Sequence, residues 1–298
     1  MYRIRLSAYV RKWSPGRGLL LAGVLAVVFS TLVLPADARA GDTRPTTSPG
    51  AESAGPAKPV HFNGWAFDTC EAPSLATMKA WRRASAYRAV GIYFGGRGRG
   101  CPRQENLNKQ WIKSVDRMGW FLLPVYVGSQ SPCVWEGHKR PYAIGADPWR
   151  QGTAEGRDAV RRAKWHGMIP GSTLYLDMES YDLRDKPCAK RTLTFVQAWN
   201  RELRRHQYFP GYYSSSSSGV RHMEWARQVR AGDLPAVIWF ARWGSKPSVH
   251  HEPALHRAAW TPHRRIHQYA GNVRESHGGH LLNIDCNRVD ALVARTWG

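Results

Sequence analysis

Acidic side chains are scarce: 22 Asp and Glu stand against 43 Lys and Arg in 298 residues, a formal charge of +21. That excludes an acidic, calcium-buffering or activation-type protein. Lysine is scarce too, with 10 residues against 33 arginines. Genome base composition produces such a bias without selection for a partner, so the charge is not read as a nucleic-acid signal. Cysteine is limited to five residues, none in a Cys-x-x-Cys pair, which argues against a zinc site. His-Glu-x-x-His, a Gly-x-Ser-x-Gly elbow, a phosphate loop and the dinucleotide fingerprint are all missing. Seven histidines fall between His250 and His280 without a standard metal spacing. Neither a metal nor a cofactor is expected.

What is present is apolar and aromatic. With 43% hydrophobic residues, 14 Trp and 12 Tyr, the chain can bury a core away from its ends. Residues 1–40 run from a basic stretch (Arg3, Arg5, Arg11, Lys12, Arg17) through the apolar run Leu19 to Leu34 to Ala38-Arg39-Ala40. They read as a signal peptide cleaved after Ala40, with an uncleaved anchor as the alternative. No second apolar run of that length follows, so no membrane association is expected after cleavage. Six basic side chains and one acidic one leave with that segment, and the remainder is still +16. Residues 41–59 contain no aromatic residue and are dense in Pro, Gly, Ser and Thr, the composition of a tether. The folded domain is then 60–298, about the size of an α/β barrel. A monomer outside the cell, secreted or held at the wall, is expected.

Eight apolar β-type runs recur along that domain: His61 to Asp68, Ala89 to Phe94, Trp120 to Val127, Ser172 to Glu179, Pro210 to Ser214, Ala236 to Ala241, Arg265 to Tyr269 and Leu281 to Asp285. Between them, Leu107, Trp111, Val115 and Met118, and again Leu193, Val196, Trp199 and Leu203, recur at steps of three and four, as amphipathic helices require. Alternation of this kind predicts right-handed βαβ units around a parallel sheet. After the sixth strand the helical pattern stops, and the Gly-rich stretch Ala270 to His280 is too short for a crossover, so an antiparallel pairing is expected there. The fold class is α/β, TIM-barrel-like, with five βα units followed by three strands with little helix.

The chemistry concentrates at strand ends. In Leu174-Tyr175-Leu176-Asp177-Met178-Glu179, the strand period puts Tyr175, Asp177 and Glu179 on one face and the apolar set on the other. Carboxylates at i and i+2 near the C-terminal end of a barrel strand point into the mouth, where such enzymes keep their sites. Like charges that close raise one pKa, which lets a carboxyl group act as an acid near neutral pH. The bland alternative is a pair neutralised by arginines. Asp68 ends the first strand and Asp285 the eighth, on the face of Asn283 and Asn287, so both belong to the same mouth. Cys70, Cys101, Cys133 and Cys188 each follow one of the first four strands and lie in mouth-side loops, where Cys70 with Cys101 and Cys133 with Cys188 is one possible pairing in an oxidising compartment. Cys286 faces the helices. Gly95 to Gly100 reads as a flexible basic loop, and Ser214 to Ser218 as a mobile rim loop.

Gly-Trp-Ala-Phe-Asp at strand one, Tyr-Leu-Asp-Met-Glu at strand four, Gly-Tyr-Tyr-Ser at strand five, His-Gln-Tyr at strand seven and Ile-Asp-Cys-Asn at strand eight resemble the family 25 lysozymes. They are closer still to the secreted bacterial glycoside-hydrolase-like domain of unknown function that shares their barrel, over about residues 60–294. The resemblance implies that Glu179 protonates the glycosidic oxygen, that Asp177 stabilises the transition state or orients the acetamido group, and that Asp68 and Asp285 complete the acidic floor. Trp65, Tyr93, Tyr126, Tyr175, Tyr213, Trp239 and Gln268 are the candidate sugar-binding side chains, the aromatic ones as stacking faces. The implied partner is cell-wall polysaccharide, peptidoglycan above all, and the implied activity is muramidase-type hydrolysis. A non-catalytic glycan-binding module on the same barrel is the alternative, and a nuclease would rest on charge alone.

Overall fold

Strand-forming runs and capped helices alternate along the chain in a computed structural model that describes residues 58–296. The expected signal peptide and most of the expected tether lie outside the described residues. The elements are β1 Val60–Asp68, α1 Leu75–Ala84, β2 Tyr87–Gly95, α2 Lys109–Arg117, β3 Phe121–Tyr126, α3 Pro148–Trp165, β4 Thr173–Asp177, α4 Lys186–Arg205, β5 Phe209–Ser215, α5 Arg221–Gln228, β6 Val237–Ala241, β7 Arg265–His277 and β8 His280–Val293. A 3₁₀ turn at Gly137–Tyr142 precedes α3, and a π turn at Ser216–Val220 precedes α5. Four helices start on a side-chain cap: Ser74, Asn108, Asp147 and Asp185 accept from the backbone N–H of Thr77, Trp111, Arg150 and Cys188.

The eight strands close a barrel in sequence order. Strands β1 to β7 run parallel, and β8 is antiparallel to both β7 and β1. Five βα units followed by three strands is the architecture that the hydrophobic pattern implies. The pleat sorts the core into two layers. Phe62, Ala66, Leu123, Val125, Tyr175, Trp239, Ile266 and Val289 fill the barrel. Phe67, Leu174, Leu176, Ile238 and Phe240 point outward into the helices, against Trp81, Trp111, Trp199 and their neighbours. Both faces of β4 are buried, so its apolar residues cover both layers. Among the described residues no helix is long and apolar enough to cross a membrane.

Two departures from the sequence reading matter for the site. Strands β7 and β8 continue past the barrel as a hairpin closed by Gly278 and Gly279, and its tip rests on α1, where Trp81 Nε1 donates to the His280 carbonyl at 2.9 Å. The hairpin escapes a hydrophobic-pattern reading because, Val273 apart, the face of β7 turned to the core is carried by Glu275 and His277, and because its register slips between Gln268 and Val273. The serine run, expected to be a mobile rim, is built in: Ser214 and Ser218 are buried, and the Ser218 hydroxyl both accepts from the Tyr181 N–H and donates to its carbonyl.

Candidate active site

The C-terminal ends of the parallel strands open into a cleft of about 610 Å³ whose lining includes Asp68, Tyr93, Lys139, Asp177, Glu179 and Asp285. Asp68 ends β1 opposite Gly91 of β2, and a Cβ at position 91 would lie 2.4 Å from the Asp68 Cβ. Glycine there leaves the space that the carboxylate stem occupies. Three donors converge on Asp68: the Tyr93 hydroxyl on Oδ1 at 2.9 Å, and the Asn287 and Gln268 amides on Oδ2 at 2.8 and 3.1 Å. Asp285 faces Asp68 directly across the β1–β8 ladder; Gln268 Nε2 reaches it at 3.3 Å and the Asn272 N–H donates to it at 2.7 Å. Burial first, then the Asp285 charge, push the Asp68 carboxyl up to about 7 against those three hydrogen bonds. Burial also raises Asp285, opposed by the Asn272 N–H.

Asp177 closes β4 and is only 4% exposed, and its Oδ1 is buried with no hydrogen-bond partner among the described residues. Burial, and then the Glu179 charge, hold its carboxyl well above the ordinary aspartate range. Glu179 lies two residues beyond the strand end, not within it, and its side chain is 29% exposed. Substrate can therefore reach Glu179 while Asp177 lies beneath. Gln130 fixes this step in the chain: its amide nitrogen donates to the Asp177 carbonyl at 2.9 Å and its oxygen accepts from the Glu179 N–H at 2.8 Å. Burial raises the Glu179 carboxyl; Lys139, whose Nζ is 3.6 Å away, pulls it down, and Glu136 pushes it up. Lys139 is itself buried and donates to the Gly98 carbonyl at 2.9 Å.

Two disulfides border the mouth, Cys70–Cys101 after β1 and β2, and Cys133–Cys188 between the loop after β3 and the start of α4. Cys286 is free and buried. The Gly95 to Gly100 loop is not a loose basic segment. Gly96, at φ +94°, comes so close to the Val127 backbone that a Cβ would lie 2.0 Å from its carbonyl oxygen. Arg97 is turned back onto Ser129 and Arg99 onto the Gly96 and Tyr93 carbonyls.

The aromatic candidates divide. Tyr93 lines the cleft. Tyr213 donates to Gln268 Oε1 at 2.9 Å, and the buried Gln268 positions the carboxylates from behind. Trp239 is a plug under the mouth, edge-on to Tyr175 and Tyr213, with its indole N–H on Asn287 Oδ1 at 2.8 Å. Tyr175 is buried inside the barrel with its hydroxyl on the Leu292 carbonyl. Trp65 and Tyr126 fall on the other side of the sheet. The pleat of β1 puts Trp65 on the outer face with Phe67, opposite to Asp68, beneath Arg288 and edge-on to Tyr269. Tyr126 faces α3 and donates to Asp158 Oδ2 at 2.8 Å. Neither is placed to stack on a sugar in the cleft. Sequence reasoning missed Lys139, Gln130 and Asn272, which come from loops or a bulge without a periodic signal, and Trp243, whose indole donates to Gln268 at 2.9 Å.

A family model described as Rv2525c-like, glycoside hydrolase-like domain matches residues 79–289, a stretch that includes Asp177, Glu179 and Asp285 and begins after Asp68. Among solved structures, the Mycobacterium tuberculosis Tat-secreted protein Rv2525c in complex with L-tartrate is similar over 76% of this chain and 96% of its own, with 17% identity and a TM-score of 0.51. The same protein in complex with HEPES gives 17% identity over the same shares and a TM-score of 0.50. The modular autolysin LytC from Streptococcus pneumoniae is 13% identical over 78% of this chain and 46% of its own, with a TM-score of 0.47. At such identities the likeness is one of fold. No curated protein matches the sequence.

Proposed function

This chain belongs to the Rv2525c-like, glycoside hydrolase-like family, and from that premise we propose that it is a secreted glycoside hydrolase of cell-wall amino-sugar glycan, with peptidoglycan as substrate. The observation that carries the proposal is the carboxyl cluster in an open cleft: Glu179 partly exposed and raised, Asp177 buried beneath it and held well above the ordinary range, Asp68 and Asp285 paired on the adjoining wall. Such a set divides acid and base roles by environment. Glu179 is the general acid that protonates the leaving glycosidic oxygen, since it combines a raised pKa with access. Asp177, kept protonated by burial, donates to the substrate acetamido group and orients it. Asp68, pushed up to about 7 by burial and Asp285 against three donors that favour its ionised form, completes the acidic floor of the cleft with Asp285. Tyr93 is the aromatic face nearest the sugar. The two cystines support the extracellular part of the reading, in which the chain acts at the wall as a secreted monomer without a cofactor or a nucleic-acid partner.

A second reading, a glycan-binding module without catalysis, is favoured by one contact: Lys139 lies 3.6 Å from Glu179 and stabilises its ionised form, which cannot donate a proton. Release of new reducing ends from purified cell wall separates the two. Wild type should release them, and Glu179→Gln should lose ~10²–10⁴-fold with its fold intact. If neither protein releases ends while both sediment with the wall, the binding reading replaces the enzymatic one.

A further inference from the structure

At the barrel end opposite the acidic cleft, two histidines and an aspartate meet. His61 stands near the start of β1, seven residues and ~23 Å of strand from Asp68. Asp290 lies in β8 and His263 in the segment leading into β7. His61 Nε2 and His263 Nδ1 lie 2.7 and 2.9 Å from the same carboxylate oxygen, Asp290 Oδ1, and the two imidazole rings are 4.3 Å apart. The ligand atoms of all three fall within 4.8 Å of one another. His263 adopts φ 60°, a left-handed conformation uncommon for a residue with a Cβ, so the surrounding chain fixes the backbone from which its ring reaches Asp290. Part of that hold comes from Trp260, whose indole donates to the Pro235 carbonyl at 2.8 Å. A cavity of about 530 Å³ adjoins the cluster, lined by both histidines, Trp260, Arg264 and Leu292 among others.

We propose that His61, His263 and Asp290 form a binding site for a divalent transition metal, zinc foremost, with the fourth position open to water or a small anion from the adjoining cavity. Two imidazoles and one carboxylate are the donor set of three-ligand zinc sites. Tetrahedral zinc with bonds of 2.0–2.2 Å holds its ligand atoms about 3.3–3.5 Å apart, so the cluster has to open by roughly half an ångström. The histidines can make that movement, because their side chains are 35% and 57% exposed while Asp290 is anchored in the sheet. The absence of a linear metal motif does not bear on this site. Its ligands come from opposite ends of the domain and meet only because β8 closes the barrel on β1. The inference is independent of the glycosidase reading, which uses the other end of the barrel.

The test is titration of the chelator-treated full chain with Zn²⁺ and Co²⁺, followed by calorimetry, by the visible absorption of bound Co²⁺ and by thermal melting. The expected result is one equivalent bound, tetrahedral Co²⁺ absorption, and a melting temperature raised by saturating Zn²⁺. His263→Ala, at an exposed position, should weaken binding at least ~10-fold and abolish the thermal shift. The pair His250→Ala and His251→Ala, exposed histidines outside the cluster, should change neither. Stoichiometric binding that survives His263→Ala, or no binding above that of the His263→Ala variant, would overturn the proposal and leave a hydrogen-bonded histidine–aspartate cluster.

Discussion

Lys139 is the residue that sets how acidic the candidate catalytic group is. It is buried beside Glu179, and its charge opposes the upward push of burial and of Glu136. Lys139→Met removes that opposition, so the Glu179 carboxyl rises. A general acid is active while protonated, and its rate falls as pH rises through its pKa. The alkaline limb of wall hydrolysis is therefore expected to move to higher pH in the variant, read from the pH–rate profile of both proteins. An unmoved limb would show that Glu179 is not the group that titrates. Asp177 is readable from the strand period, because side-chain alternation is a local property, whereas Glu179 stands beyond the strand end in a step that Gln130 fixes. Lys139 is not readable, because it arrives from the loop after β3 without any periodic signal.

At the level of elements, the mouth depends on how closely β1 and β2 approach. Gly91 lies opposite Asp68, and the 2.4 Å separation of a Cβ there from the Asp68 Cβ means that Gly91→Ala must displace the carboxylate stem or part the strands. Overpacking of this kind costs ~1–3 kcal/mol. Chemical denaturation should register that loss, and wall hydrolysis should fall with it because Asp68 moves. A variant as stable as wild type would mean that the strands have slack to give. The β7–β8 hairpin is the other element that builds the site, since Asn272 and Asp285 reach the cleft from it. Its strands were read from sequence as ending near Tyr269 and starting near Leu281. Beyond those points one face turns to solvent while the other packs largely through polar Glu275 and His277 on Tyr87 and Trp81, so the apolar alternation that marks a strand is missing.

For the molecule as a whole, the cystines tie the mouth loops to the barrel. Cys133–Cys188 closes a loop of 55 residues and joins the segment that carries Glu136 and Lys139 to the first turn of α4. Replacing both cysteines by serine frees the unfolded chain and is expected to lower stability by ~2–4 kcal/mol. Melting under non-reducing conditions measures this; an unchanged melting temperature would mean that the loop is held by its hydrogen bonds alone. The basic surface and the acidic cleft coexist because the arginines mostly pair or lie outside the mouth, as Arg97 and Arg99 do after turning back from the rim.

Strand count, the five βα units, the antiparallel finish and the place of Asp177 at the end of β4 all follow from hydrophobic periodicity, which is written in consecutive residues. The cystine pairing was one of several that the spacing allowed. Packing selected it by bringing the loops after β1 and β2 together, and by bringing the loop after β3 to the start of α4. Which aromatics reach the cleft depends on the face of the strand that each one occupies. The pleat turned Trp65 outward on β1, opposite to Asp68, and sent Tyr126 to the helix layer. The charge state of Glu179 and the meeting of His61, His263 and Asp290 arise from residues far apart in the chain. Their distances, and therefore their electrostatics and their capacity to share a ligand, exist only once the barrel has closed.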